Sequence, residues 1–423
     1  LRLILVTMES LFINPIAIII IASVVGFFMA YGIGANDVAN AMGTSVGSKA
    51  ITLKQAIIIA AIFEFLGAYL AGGSVTDTIR KEIVDPQIYE EDPNIFILGM
   101  LSALLAAGTW LIIASQRGWP VSTTHSIVGA IIGFVCISKG PSFVSWNTVG
   151  GIAGSWVTSP LIAATLAFII FLSAKKFILD RDNPGKAAIN IIPIYSFYVG
   201  FIISLVIARK GLKNIGLEMS ESEIYTFTLI ISFAAALFTS FALRRNKSEI
   251  ELNGVEPAFA VLMIISACAM AFAHGSNDVA NAIGPLAAIV NTVNSNGLIQ
   301  ESSETYPWIL FLGATGIVFG LTFLGKNVIK TVGEKITSLK PSLGFSAELA
   351  TATTVVLASY AGFPISTTHT LVGGVIGVGL AKGAKHLNTK SIIRIISSWL
   401  ITIPIGAMLT ILFWVLLRFV FGV

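Results

Sequence analysis

A polar phrase set in apolar surroundings occurs twice in this chain. Residues 34–43 read GANDVANAMG, and residues 275–284 read GSNDVANAIG. Burying Asp and Asn in hydrocarbon is costly unless each polar atom has a partner, so such groups commonly mark the path of an ion or a substrate. Because both copies keep the same order, we expect a symmetric arrangement around one central site. The repeated phrase therefore makes a transporter the leading hypothesis.

The composition places these phrases in a membrane protein. The chain has 423 residues, of which 55% are hydrophobic and only 11% charged, whereas roughly a quarter are charged in soluble domains. Many apolar runs approach the roughly 20 residues that cross a bilayer as a helix. A transmembrane barrel would instead need short alternating segments. The net charge of +4 is attributed to loops and membrane topology, and no nucleic-acid partner is expected.

About twelve apolar segments predict an all-α polytopic fold. They cover residues 11–43, 55–73, 95–114, 120–138, 147–174, 190–208, 224–243, 257–290, 307–325, 346–360, 364–381 and 391–421. The first five segments match the last five. WPVSTTH at 119–125 corresponds to FPISTTH at 363–369, and Pro160 corresponds to Pro404. This pattern indicates an internal duplication.

The duplication divides the chain into three parts. We expect a first repeat at 1–174, two connecting membrane helices at 175–256 and a second repeat at 257–423. An odd number of crossings separates each segment from its twin, which predicts two inverted repeats with broken helices. If 95–138 is a re-entrant hairpin, the number of crossings stays odd.

The basic residues predict the orientation of the chain in the membrane. Loops on one side carry about twice as many Lys and Arg residues as loops on the other, which makes the richer side cytoplasmic. Both termini are then expected outside, in a multi-pass cell (inner) membrane protein. The sequence leaves the oligomeric state open, with a homodimer as one alternative.

The two NDVAN phrases predict a cation site. Their polar residues are Asn36, Asp37, Asn40, Asn277, Asp278 and Asn281. Helical spacing places each set on one face, and Gly32, Gly34, Gly275 and Pro285 are expected to loosen the helices there. Oxygen donors with a negative charge suit a hard cation such as sodium. A polar clamp between helices is the alternative, but it does not explain an Asp in both copies.

The two STTH motifs predict an anion site. Pro120 and Pro364 end the preceding segments, and Ser122 and Ser366 are natural N-caps for the next helices. Each helix N-terminus then presents free N–H groups and hydroxyls to an anion. The hydroxyls belong to Ser122, Thr123, Thr124, Ser366, Thr367 and Thr368. Ordinary capping is the alternative, and it explains one serine but not three hydroxyls in each half.

Inverted repeats would bring the two anion sites together near the midplane. A small tetrahedral oxyanion would fit between them. Arg117 is the only basic residue close to either motif, and its counterpart is Ala361. Since Asp37 and Asp278 would repel an anion, cations must enter with it, which favours cation-coupled symport.

Single ionisable residues are weaker candidates. Glu64 lies inside an apolar run and Glu348 lies near the start of another. Each is interpreted as a ligand of a coupling ion or as a proton carrier, and pairing with the backbone or a loop lysine is the alternative. His274 precedes only the second NDVAN phrase, and the equivalent position is Ile33. His274 is therefore interpreted as local packing.

The motifs resemble those of a known family. The phrases at 34–41 and 275–285, the STTH pair and GTSVGS at 43–48 are similar to signatures of the inorganic phosphate transporter (PiT) family. The resemblance runs from about residue 24 to 420. It implies a secondary symporter of phosphate with Na⁺ or H⁺, with external termini. Animal members carry a long insertion where this chain has the short loop 244–256.

The resemblance also implies roles for single residues. The six NDVAN residues would bind cations and substrate, with Asp37, Asp278, Asn40 and Asn281 among the phosphate contacts. The STT hydroxyls would hold phosphate, and Glu64 and Glu348 are similar to acidic positions of the family. The sodium ligands would be Asn36, Asp37, Asn40, Asn277, Asp278, Asn281, Glu64 and Glu348.

We therefore expect a symporter that imports inorganic phosphate with sodium ions, within a lipid membrane and without an organic cofactor. Proton-coupled transport of phosphate or metal-phosphate, and a sulfate permease of the same fold, are alternatives. An enzyme is not expected, because a nucleophile and base need an asymmetric site whereas every strong motif here is duplicated. An anion channel would be obstructed by the carboxylates.

Overall fold

The computed structural model of the chain is built from helices. It describes residues 14–73, 76, 83–211, 219–299, 306–335, 339–383 and 387–422. Within these ranges, nine helices are long and apolar enough to cross a membrane. The predicted all-α polytopic fold is confirmed. The expected boundaries at residues 1, 11 and 423 lie outside the described residues.

The helices follow the predicted segments closely. In the first part, α1 spans Pro15–Gly47, α2 Leu53–Ala71, α3 Pro93–Gln116, α4 Thr123–Ser138 and α5 Trp146–Ala174. The middle part contains α6 at Pro184–Val206, α7 at Glu221–Arg245 and the short α8 at Lys247–Asn253. The last part contains α9 at Glu256–Asp278, α10 at Ala280–Asn294, α11 at Pro307–Leu324, α12 at Lys326–Lys335, α13 at Pro341–Tyr360, α14 at Thr367–Lys382 and α15 at Thr389–Phe421. The short helices α8 and α12 were not predicted.

Local sequence explains where these helices start. Proline occupies the first turn of α1, α3, α6, α9, α11 and α13, where its missing N–H has no helical partner to lose. The hydroxyls of Ser122 and Ser366 accept hydrogen bonds from the N–H groups of His125 and His369. The predicted N-caps of α4 and α14 are therefore present.

The two NDVAN phrases lie in different local structures. In the second half the helix is interrupted at Val279, which separates α9 from α10. In the first half α1 runs unbroken for 33 residues through Gly32 and Gly34. The helix break expected in both halves is therefore present only in the second.

The glycines of the phrases serve close helix packing. A Cβ on Gly34 would overlap the carbonyl oxygen of Ile317 in α11, and a Cβ on Gly275 would overlap that of Glu64 in α2. Only glycine lets two helix backbones approach so closely. This packing, rather than loosening of α1, accounts for Gly34.

Helices of the first part of the chain pack on helices of the last part. The helix α1 packs on α11, while α9 packs on α2. Likewise α4 packs on α15, while α14 packs on α5. Because α2 corresponds to α11 and α5 to α15, the same pairings occur twice. The first and last parts therefore interlock and do not form separate bundles.

Two helical hairpins, α3–α4 and α13–α14, meet tip to tip. The Thr124 hydroxyl donates to the Ile365 carbonyl at 3.0 Å, and the Thr368 hydroxyl donates to the Val121 carbonyl at 3.2 Å. Inverted hairpins that each crossed the bilayer would end on opposite faces, about 30 Å apart. The contact between the tips is what two re-entrant hairpins entering from opposite faces would produce.

Candidate functional site

The central cluster lies where the hairpin tips meet the NDVAN phrases. Asp37 Oδ2 accepts a hydrogen bond from the Thr123 hydroxyl at 2.8 Å, and Asp278 Oδ2 accepts one from the Thr367 hydroxyl at 2.7 Å. All four residues are at most 2% exposed. The structure thus pairs each aspartate with the first threonine of its own half.

Two asparagines connect each hairpin to the opposite half. Asn40 Nδ2 donates to the hydroxyls of Thr367 and Thr368, at 3.2 and 2.8 Å. Asn281 makes the equivalent contacts with the two threonines of the first STTH motif, at 3.3 and 3.5 Å. Each pair of hydroxyls therefore lies between an aspartate of its own half and an asparagine of the other.

The remaining two asparagines hold the hairpin tips. Asn36 Nδ2 donates to the Ser115 hydroxyl at 3.1 Å and to the Trp119 carbonyl at 3.0 Å, while its Oδ1 accepts from the Val121 N–H at 3.1 Å. Asn277 donates to the equivalent hydroxyl and carbonyl of the second hairpin, at 3.0 and 3.3 Å. Their amides are engaged by the tips, so the polar clamp considered as an alternative describes these two residues well.

The two serines of the STTH motifs act as N-caps of the helices that follow them. Their hydroxyl oxygens cap α4 and α14. The threonines after them begin these helices, where backbone N–H groups have no helical acceptor. Ser122 and Ser366 therefore orient the two N-termini, and Thr123, Thr124, Thr367 and Thr368 present the hydroxyls.

His274 lies among three carboxylates, which corrects its interpretation as local packing. Its Nε2 is 3.0 Å from Asp278 Oδ2 and 3.9 Å from Asp37 Oδ2, and its Nδ1 is 3.3 Å from Glu64 Oε1. All of these side chains are buried. Comparison of the repeats did not identify His274 as a site residue, because its counterpart, Ile33, is apolar. The signal that could have found it is an ionisable side chain deep in an apolar run.

Glu348 forms a second, separate polar cluster. Its Oε1 accepts from the Thr44 and Ser45 hydroxyls at 3.1 and 2.9 Å, and its Oε2 accepts from the Ser266 hydroxyl at 2.7 Å. Within the described part of the chain, its hydrogen bonds reach these three hydroxyls and neither of the site aspartates. The structure therefore brings Glu64 to the central cluster through His274 but leaves Glu348 apart from it.

Two further histidines connect the hairpins to the helices packed against them. His125 Nδ1 lies 3.1 Å from the Trp399 carbonyl, and His369 Nδ1 lies 3.2 Å from the Trp156 carbonyl. Their rings contact each other with centroids 4.5 Å apart. These contacts join α4 to α15 and α14 to α5, so the histidines fix the positions of the two helix N-termini.

The cluster offers both anion donors and cation ligands. Hydroxyls, amide N–H groups and two helix N-termini can donate to an oxyanion, and the carboxylate and hydroxyl oxygens suit a hard cation. Ligand atoms of Asp37, His274 and Asp278 also lie within 4.8 Å of one another, close enough to share a metal ion. In the described ranges, no Lys or Arg side chain donates a hydrogen bond to any of these residues. The arrangement therefore accommodates an anion best together with a cation.

Known proteins share this sequence and fold over most of their lengths. The profile of the phosphate transporter family matches residues 33–410. A protein of Haemophilus influenzae named as a phosphate permease is 52% identical over 95% of this chain and 97% of its own length. The inorganic phosphate transporter 2-1, chloroplastic, of Arabidopsis thaliana is 40% identical over 92% of this chain and 70% of its own length.

A solved structure is similar throughout. The structure described as "The sodium-dependent phosphate transporter" superimposes with a TM-score of 0.88 and is 40% identical. The similarity covers 96% of this chain and all of that structure's chain. The family profile and these relatives show that the chain belongs to the phosphate transporter family and is a multi-pass membrane transporter, not an enzyme.

Proposed function

We propose that this chain imports inorganic phosphate by symport with sodium ions, through alternating access around the Asp37 and Asp278 cluster. The observation that carries the proposal is the doubled Thr–Asp contact, with an asparagine of the opposite half on each hydroxyl pair. A site built equally from two inverted halves can be exposed in turn to either side of the membrane.

The donor and acceptor pattern supports phosphate as the anion. The four threonine hydroxyls and the amides of Asn40 and Asn281 supply donors to its oxygens. Phosphate near neutral pH still carries an O–H group, and Asp37 or Asp278 can accept from it. Sulfate has no such proton, so no hydrogen bond would offset the repulsion between its charge and the carboxylate. The aspartates therefore favour phosphate over sulfate.

Charge balance supports sodium as the partner ion. Two aspartates are buried beside the anion position, and no described Lys or Arg contacts them. Sodium ions held by the aspartates and asparagines would offset both the carboxylates and the incoming anion. Glu64, beside His274, and Glu348, with its three hydroxyls, are proposed as further cation ligands.

The same proposal includes the organisation of the chain. Residues 1–174 and 257–423 would form the inverted repeats, with 175–256 connecting them. Both termini would lie outside the inner membrane, because the loops richer in Lys and Arg would face the cytoplasm. The interlocked packing and the meeting hairpin tips support this arrangement.

His274 favours proton-coupled or metal-phosphate transport as the second candidate. It bridges Glu64 and Asp278 through its two ring nitrogens, which gives a path for a proton between carboxylates. Its clustering with the two aspartates also provides ligands for a divalent metal. Sodium symport requires neither property.

The test is uptake of labelled phosphate into proteoliposomes that contain the purified chain. An imposed sodium gradient, an imposed proton gradient and added divalent metal are compared, with sulfate and arsenate as competitors. The variants are Asp37→Asn and Asp278→Asn, and Asp182→Asn in an exposed turn is the matched control.

We expect uptake to follow the sodium gradient, to be inhibited by arsenate and not by sulfate, and to be lost in both site variants but not in the control. Uptake that ignores sodium and follows protons or divalent metal would replace this proposal with the second candidate. Competition by sulfate at equal concentration would refute phosphate selectivity.

A further inference from the structure

A cavity of about 600 Å³ lies beside the tip of the first hairpin, separate from the central cluster. It is bounded by residues 117–120 of the hairpin turn, by α12 and by the first turns of α15. Its polar lining consists of Arg117, Arg394, Thr331, Ser391, Ser397 and Ser398. None of these side chains belongs to the proposed transport site.

The two arginines make this cavity electropositive. Both are exposed, and neither forms an ion pair with any residue that the structure describes. The Arg117 guanidinium lies over the Trp119 ring, 5.4 Å from its centroid. Two guanidinium groups that face one cavity attract an anion, and their planar forks match the oxygens of a phosphate group.

Neither arginine has a basic counterpart in the other half of the chain. The positions equivalent to Arg117 and Arg394 are Ala361 and Gly150. The aspartates, asparagines and threonines of the central cluster occur in both halves, whereas the two arginines of the cavity do not. The two arginines therefore stand apart from the duplicated residues that form the central cluster.

The rest of the lining is apolar. It consists of Trp110, Gly118, Trp119, Pro120, Ile395 and Ile401. Trp119, in the hairpin turn, is 43% exposed, and Ile401, on α15, is 52% exposed. A free phosphate ion would leave this surface uncovered. A phospholipid would cover it, because its headgroup can meet the arginines while its first acyl carbons lie along the indole and isoleucine side chains.

We propose that this cavity binds an anionic phospholipid through its headgroup phosphate. The neighbouring basic residues of α12 and α15 would place it at the cytoplasmic leaflet, which is rich in anionic lipid. The choice of leaflet, but not the site itself, rests on the orientation proposed above.

The bound lipid would stabilise the position of the first hairpin. The Ser398 hydroxyl donates to the Pro120 carbonyl at 3.4 Å, and the Trp110 indole N–H donates to the Thr402 hydroxyl at 3.2 Å. Residues that line the cavity therefore also join the hairpin to α15. A lipid between Arg117 and Arg394 would strengthen that connection.

The experiment measures lipid retained by the full chain, with native mass spectrometry after exchange into phosphatidylglycerol or phosphatidylcholine. Arg117→Gln, Arg394→Gln and the double variant are compared with Arg244→Gln, an exposed arginine at the end of α7. Arg117→Lys and Arg394→Lys keep the charge. Inorganic phosphate is added to the unmodified chain as a competitor for the arginines.

We expect selective retention of phosphatidylglycerol, reduced about fivefold by each Gln variant and about 25-fold by the pair. The Lys variants should retain most of the lipid, and Arg244→Gln all of it. Equal retention of the two lipids by the unmodified chain would overturn the proposal whether or not the variants fold. Displacement of the lipid by inorganic phosphate would also overturn it, because the cavity would then be a free-anion vestibule.

Discussion

Asn40 donates from Nδ2 to the Thr368 hydroxyl at 2.8 Å, across 328 positions of sequence. Asn40 lies on α1 and Thr368 lies in the first turn of α14, so this bond joins the first and last parts of the chain at the central cluster. The same hydroxyl lies 3.4 Å from Asp37 Oδ1, because Asp37 and Asn40 are three residues apart on one helix face. One hairpin tip is thereby held by a carboxylate and an amide of the opposite half.

Removing the threonine hydroxyls should impair phosphate binding equally in the two halves. We expect Thr123→Val and Thr367→Val each to weaken phosphate affinity about tenfold or more, since a buried hydrogen bond to a carboxylate is worth about 1.5–3 kcal/mol. Equilibrium binding of labelled phosphate measures this. Thr165→Val, an exposed threonine bonded only within its own helix, is the control. Loss in one half alone would show that the two contacts are not functionally equivalent.

Replacing His274 should show whether this residue positions Glu64 and Asp278 or transfers protons between them. Under sodium symport, His274→Asn should reduce uptake about tenfold or more, because Glu64 and Asp278 lose their shared partner, while the remaining uptake still requires sodium. The measurement is uptake under a sodium gradient at several pH values. Persistent sodium dependence with an unchanged pH profile fits positioning. A pH-dependent uptake that becomes flat in the variant contradicts it and supports proton coupling.

Adding a methyl group at the close helix contacts should destabilise the fold. Gly34→Ala and Gly275→Ala place a Cβ against the backbone oxygens of Ile317 and Glu64, so the helices must separate, at a cost of about 1–3 kcal/mol or more. Thermal unfolding of the detergent-solubilised protein measures the effect. Gly150→Ala is the control, because nothing lies within 4 Å of its Cβ position. Equal unfolding temperatures for all three variants would refute the packing role.

Asn36 should matter more for stability than for binding. Asn36→Ala removes three hydrogen bonds that hold the first hairpin tip, each worth about 1 kcal/mol. We expect a lower unfolding temperature, with phosphate affinity largely retained in the protein that stays folded. Asn291→Ala is the control, because the Nδ2 atom of Asn291 has no hydrogen-bond partner within the described residues. A large loss of affinity without loss of stability would make Asn36 a ligand.

The sequence predicted the helices and most of the cluster because both depend on duplicated patterns. Apolar length located each of the nine candidate membrane helices in the described ranges, and the repeated NDVAN and STTH motifs identified the residues that meet at Asp37 and Asp278. Capping chemistry also placed Ser122 and Ser366 correctly. These features depend on local residues and on simple symmetry.

Asymmetric features could not be predicted in the same way. His274 was discounted because Ile33 occupies the matching position, and only packing shows that α9 directs its ring towards Glu64. The continuity of α1 was also missed, because glycine in a sequence can indicate either a loosened helix or a close contact. The partner helix α11, distant in sequence, decides between these two readings.

The dependence of phosphate affinity on sodium tests the central claim most directly. Labelled phosphate is bound to the purified chain with sodium or choline as the cation, at constant ionic strength. Because Asp37 and Asp278 face the anion without a described Lys or Arg, sodium should strengthen phosphate binding about tenfold or more, and phosphate should strengthen sodium binding by the same factor. Equal phosphate affinity in sodium and in choline would contradict the account.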